Sequence, residues 1–211
     1  KVAILISGRG SNMEALIKAS EANDYPATIK LVISNKNEAY GLQIAKEYGI
    51  ETKSFNRLDY KSDNDFDQII SDTISSFDID IICTAGYLKI LSAQFVNNWH
   101  NKIINIHPSL LPAYKGLHTH ARALSDGVKI TGCTTHIVRS ELDSGPIIMQ
   151  AAVPISDDDT EESLANKVLE LEHKIFPLSL KKLAQDKLII KDNNVSEKAS
   201  LKKDWSVTNP G

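Results

Sequence analysis

Cysteine is scarce in this chain, with two in 211 residues. Cys83 and Cys133 lie far apart in apolar or Thr-rich sequence, which argues against a disulfide framework or a thiolate metal site and for two structural thiols. Long apolar runs are missing too. No stretch reaches the roughly 18 residues that a membrane helix needs. Lys1 to Ile6 is short and runs into a glycine turn, unlike a signal peptide. A cytoplasmic location without a membrane partner is expected. Neither sign of charge dominates: 24 Lys and Arg against 27 Asp and Glu leave a net charge of −3, so no overall field favours nucleic acid. An anionic ligand must therefore be held by local groups. Repeats, low-complexity tracts and interdomain linkers are absent, and so is the Gly-x-Ser-x-Gly elbow of a serine hydrolase. What is present, 42% hydrophobic and 24% charged residues, is the composition of one globular domain.

Hydrophobic patterning gives the organisation. Val2 to Ile6, Ile29 to Ile33 and Ile79 to Thr84 read as buried strands, and Ile50 to Ser54 as a shorter one. Between them Ser11 to Ser20, Tyr40 to Tyr48 and Phe66 to Phe77 carry apolar residues at helical spacing. Strands alternating with helices predict a single-domain α/β fold, a doubly wound and mostly parallel sheet covered on both faces. After His107 the pattern changes. A Pro/Gly/His-rich loop leads to a helix near Ala121 to Asp126, then Ile130 to Val138 and Ile147 to Val153 are expected to pair antiparallel around the Glu141 to Gly145 loop. Thr160 to Phe176 is expected as a helix that Pro177 kinks at its end, with Leu188 to Ile190 as an edge strand. The domain is placed at residues 1–191 and a mobile polar tail at 192–211.

The chemistry is concentrated in a few motifs. In Ile104-Asn105-Ile106-His107-Pro108 an amide and an imidazole stand two positions apart, on one face of a strand, and the prolines that follow place His107 at the strand's C-terminal mouth. Open α/β sheets bind ligands there. Asp143, in Glu141-Leu142-Asp143-Ser144-Gly145, offers a carboxylate that would favour the imidazolium form if it reached His107, leaving the ring able to donate to a developing oxyanion. The plainer reading of Asp143 is an Asp-Ser-Gly turn residue. Gly8-Arg9-Gly10-Ser11-Asn12 sits between a strand and a helix, where free N–H groups can cradle a phosphate. It lacks the third glycine and the downstream acid of a dinucleotide fingerprint, so a monophosphate suits it better. His118 and His120 would diverge by about 200° on a helix, so no metal site is expected.

Together, Ile6 to Asn12, Ala85 to Ser92, Asn105 to Pro112, Gly116 to His120 and Asp143 to Ile147 resemble the phosphoribosylglycinamide formyltransferases, in order and over nearly the whole chain. The resemblance implies a Rossmann-like formyltransferase fold and formyl transfer from 10-formyltetrahydrofolate to glycinamide ribonucleotide, with no metal. It implies a catalytic set of Asn105, His107 and Asp143, a substrate phosphate loop at Gly10, Ser11 and Asn12, and Glu172 near the glycinamide end. By the same resemblance Leu88, Lys89, Ile90 and Leu91, with Arg139, Ser140, Glu141, Leu142, Asp143 and Asn105, surround the folate. Lys89 stands where the family usually has arginine, and Asp63 where it often has a basic residue. The related tRNA formyltransferases resemble longer chains with a basic C-terminal domain, and the formyltetrahydrofolate hydrolases chains with an added N-terminal one. A glycinamide ribonucleotide acceptor, and a monomer or homodimer, are the expectations.

Overall fold

The computed structural model describes residues 1–198. Its centre is a seven-stranded sheet in the order β3-β2-β1-β4-β5-β6-β7. The strands β1 (Val2–Ile6), β2 (Ile29–Ser34), β3 (Glu51–Ser54), β4 (Ile81–Thr84) and β5 (Ile103–His107) run parallel. β6 (Ile130–Ile137) and β7 (Ile147–Pro154) extend the sheet antiparallel, as the strand pattern predicts.

Every residue of β1 is buried, because both faces of a central strand are covered. Successive side chains separate into two cores. Val2, Ile4 and Ile6 pack with Met13, Leu16 and Ile17 of α1 (Ser11–Ser20) and with Val168, Phe176 and Leu180 of α6 (Glu161–Ala184). Ala3 and Leu5 face Phe66, Ile70 and Ile74 of α3 (Asp63–Ser76) and Phe95 of α4 (Ala93–Asn98). α2 (Tyr40–Glu47) lies on the α1 side, and α5 (Thr119–Ser125) follows the loop after β5. From the β3 edge the chain returns past β1 to form β4, so the strand order reverses between β1 and β4. The mouth of that reversal is where the site lies.

Two expectations are corrected. α6 does not end at Pro177 but continues through it to Ala184. Proline removes one amide donor and crowds the preceding turn. Here Phe176, Ser179 and Leu180 are fully buried, the Ser179 hydroxyl meets that of Thr135 at 2.6 Å, and the Tyr25 hydroxyl donates to the Pro177 carbonyl at 2.7 Å. Tertiary contacts on both sides outweigh the local break. The second correction concerns the C-terminal end. β8 (Leu188–Lys191) is not an edge strand of the main sheet, and the chain beyond it is not all tail: Asp192, at φ 53°, and Asn193 form a two-residue loop, and β9 (Asn194–Glu197) pairs back on β8. The rest of the expected tail, 199–211, lies outside the described residues.

Candidate active site

A cavity of about 710 Å³ opens at the C-terminal ends of β4 and β5. Asn105 and His107 point into it from β5, as their two-residue spacing requires. Asp143 reaches it from the β6–β7 connection, where its backbone takes a left-handed turn at φ 47°. Asp143 Oδ2 stands 3.4 Å from His107 Nδ1 and accepts a 2.9 Å hydrogen bond from the Gly116 amide. His107 Nε2 lies 2.9 Å from the Tyr114 carbonyl, which can only accept, so that nitrogen carries a hydrogen. Both His107 nitrogens thus face acceptors. The Nδ1 contact with Asp143, at 3.4 Å, is long for a hydrogen bond.

The Asn105 amide is oriented by groups that the sequence motifs did not single out. The Thr84 hydroxyl donates to Asn105 Oδ1 at 2.7 Å, and Asn105 Nδ2 lies 3.1 Å from His136 Nε2. An amide nitrogen has two hydrogens, so one remains for the cavity. His136 is visible in the sequence only as one histidine among six. The signal that finds it is register: it is the antiparallel partner of Asn105 across β5 and β6.

The other expected residues divide. Asn12, Leu88, Lys89, Ile90, Leu91, Arg139, Ser140, Leu142 and Glu172 all line the cavity. Gly10, Ser11 and Glu141 do not; Glu141 is turned outward, 3.6 Å from Lys115. Gly10 has a packing reason for its identity. At φ 82° a Cβ on it would come within 2.7 Å of Gly41 Cα, where α2 crosses the turn. The first turn of α1 has no side-chain cap, so its leading N–H groups are available to an anion. Asn12 Nδ2 donates to Glu172 Oε2 at 2.7 Å. Burial pushes the Glu172 carboxyl up to about 7, against the opposing effect of that hydrogen bond.

The 86–92 loop is pinned at two points. Ser7 Oγ accepts from the Leu88 amide at 2.9 Å, and the buried Asp67 accepts from the Ser92 amide at 2.7 Å. Lys89 is held by Asp67 at 3.3 Å and Asp63 at 3.4 Å. Leu88, Ile90 and Leu117 leave their apolar side chains about two-thirds exposed around the cavity, an apolar rim suited to a flat ring. Three buried polar atoms in the wall, Asn12 Oδ1, the Tyr87 hydroxyl and His120 Nδ1, have no hydrogen-bond partner among the described residues. Such orphans are rare in folded proteins. Elsewhere burial raises both cysteine thiols, that of Cys133 to about 12, in keeping with structural roles.

A doubly wound α/β domain with a preorganised amide, imidazole and carboxylate at its switch point has the form of a small-molecule enzyme. The formyl transferase family model matches residues 1–180, and the chain belongs to that family. It is 43% identical over 193 residues to phosphoribosylglycinamide formyltransferase from Haemophilus influenzae, covering 92% of this chain and 91% of the relative. It is 45% identical over 193 residues to the human trifunctional purine biosynthetic protein adenosine-3, covering 92% of this chain but only 19% of that protein. The crystal structure of phosphoribosylglycinamide formyltransferase from Anaplasma phagocytophilum superimposes with a TM-score of 0.88 at 48% identity, covering 95% of this chain and 94% of that one.

Proposed function

We propose that the chain transfers the formyl group of 10-formyltetrahydrofolate to the amine of glycinamide ribonucleotide, giving formylglycinamide ribonucleotide and tetrahydrofolate in purine biosynthesis. The observation that carries this reading is the meeting of one uncommitted Asn105 N–H and the His107–Asp143 pair in a single cavity. The relatives' names support the acceptor.

Asn105 and His107 in its doubly protonated form receive the formyl oxygen as the neutral glycinamide amine adds to the formyl carbon. Asp143 orients the imidazole and balances its charge. A carbon–nitrogen bond forms to the amine, the bond to folate N10 breaks, and the proton lost by the amine ends on N10, carried by His107 or by water at Asp143. No metal is called on, since two preorganised donors take up the developing charge. Leu88 to Leu91 and the Arg139 to Asp143 segment hold the folate ring. The first turn of α1, at Gly10, Ser11 and Asn12, takes the nucleotide phosphate, and Glu172 faces the glycinamide end. The substrates are small molecules, neither nucleic acid nor membrane is a partner, and the reaction is cytoplasmic. Among the described residues no helix is long and apolar enough to cross a membrane.

The test is the absorbance change of released folate when both substrates are supplied. Turnover that requires glycinamide ribonucleotide is expected. Asn105→Ala should lower kcat by about 10²–10³ while KM for the nucleotide stays within about twofold. Absence of transfer by the wild type, or full turnover by the variant, would overturn the assignment.

A further inference from the structure

The hydrogen-bond pattern around Asn105 admits one arrangement of protons when the His136 ring is neutral. His136 Nδ1 lies 3.1 Å from the Ile137 carbonyl. A carbonyl only accepts, so Nδ1 carries the ring hydrogen and Nε2 has a lone pair. The atom facing Nε2 at 3.1 Å must then be a donor, which places Asn105 Nδ2 there and Oδ1 at the Thr84 hydroxyl, 2.7 Å away. The second amide hydrogen is left for the cavity. With Nε2 protonated the same contact would set two donors against each other. The amide would rotate, and Oδ1 would be presented to an anionic oxygen.

We propose that His136 is a positioning residue for formyl transfer: its unprotonated Nε2 fixes the rotamer of the Asn105 amide so that an N–H, and not the carbonyl, faces the reacting oxygen. This rests on the function proposed above. The ring is 2% exposed, and its burial holds the imidazole below the ordinary histidine range, so the lone pair is kept at neutral pH. The groups that face it pull in both directions. The Ile137 carbonyl and Asp143, whose Oδ1 is 3.8 Å from Nε2, favour the charged ring; His107 and Lys115 oppose it. Asp143 is thereby left to His107, the histidine for which the mechanism requires charge.

Three measurements test the proposal. Long-range nitrogen-15 NMR of the wild type should show His136 as the neutral, Nδ1-protonated tautomer at pH 7. His136→Leu, which cannot accept, should lose about 10²-fold in kcat with nucleotide KM unchanged, and adding Asn105→Ala should cause little further loss, because both changes remove the same donor. His136→Gln, whose side-chain oxygen can reach the Nε2 position, should restore kcat to within about tenfold of wild type. A charged or Nε2-protonated His136, a folded His136→Leu enzyme with wild-type kcat, or losses that multiply in the double variant would overturn the role of His136. An inactive wild type would instead overturn the reaction itself, leaving the tautomer to be judged by the NMR alone.

Discussion

Glu172 shows how burial sets the chemistry of a single side chain. A glutamate titrates near 4.5 when solvated and near 7 in this fold, so between those values the folded chain holds a proton that the unfolded chain has released. The sign follows from linkage: the contribution of Glu172 to stability is greatest below pH 4.5, falls as pH rises from there to 7, and is constant above that, with about 3 kcal/mol at stake. Glu172→Gln removes the penalty. It should melt about 5 °C or more above the wild type at pH 8.5 and close to it at pH 4; equal melting differences at the two pH values would contradict the buried carboxyl. Sequence made the individual candidates visible, because Asn105 and His107 share a strand face by their spacing alone. It did not show what holds them. Thr84 comes from the neighbouring parallel strand and His136 from the antiparallel one, partners that no local pattern brings together.

At the scale of elements, the connection between β6 and β7 determines whether Asp143 reaches His107. Gly145 closes this loop against the end of β6, where an added Cβ would lie 1.7 Å from the Ile137 carbonyl oxygen. That oxygen belongs to the backbone and also receives His136 Nδ1, so it cannot yield without moving the site. Gly145→Ala should therefore cost about 1–3 kcal/mol in a urea melt and at least about tenfold in kcat. A folded variant with normal kcat would show that the loop adapts without moving Asp143. Element boundaries were legible wherever one local rule acted unopposed. The helix expected over Tyr40 to Tyr48 is α2, which is capped at Tyr48 and followed by Gly49 at φ 69°. They were misread where distant contacts prevailed, as at Pro177, or where a polar turn concealed a hairpin, as at Asp192 and Asn193. Asp143 illustrates both readings at once, since it is a left-handed turn residue and also the carboxylate beside His107.

Over the whole molecule, continuous apolar runs separated by helical periods specified the doubly wound sheet, because a strand buried on both faces has few alternatives to VAILI or its like. The site was legible as a set of residue types at strand ends, and the sheet order explains why they meet: crossing from β3 back to β4 leaves a hollow that the β5 and β6–β7 ends close. What the sequence could not supply was distance. Convergence of Asn105 and His107 on one carbonyl oxygen, with Asp143 beside the imidazole, is the claim on which the proposed function depends. A crystal structure with glycinamide ribonucleotide and a non-transferable 10-formyl folate analogue measures it directly. The expected result is Asn105 Nδ2 and a His107 nitrogen both about 2.7–3.1 Å from the formyl oxygen, with Asp143 still beside the imidazole. A formyl oxygen bonded to neither side chain, or an Asp143 turned away from His107 with both ligands in place, would contradict it.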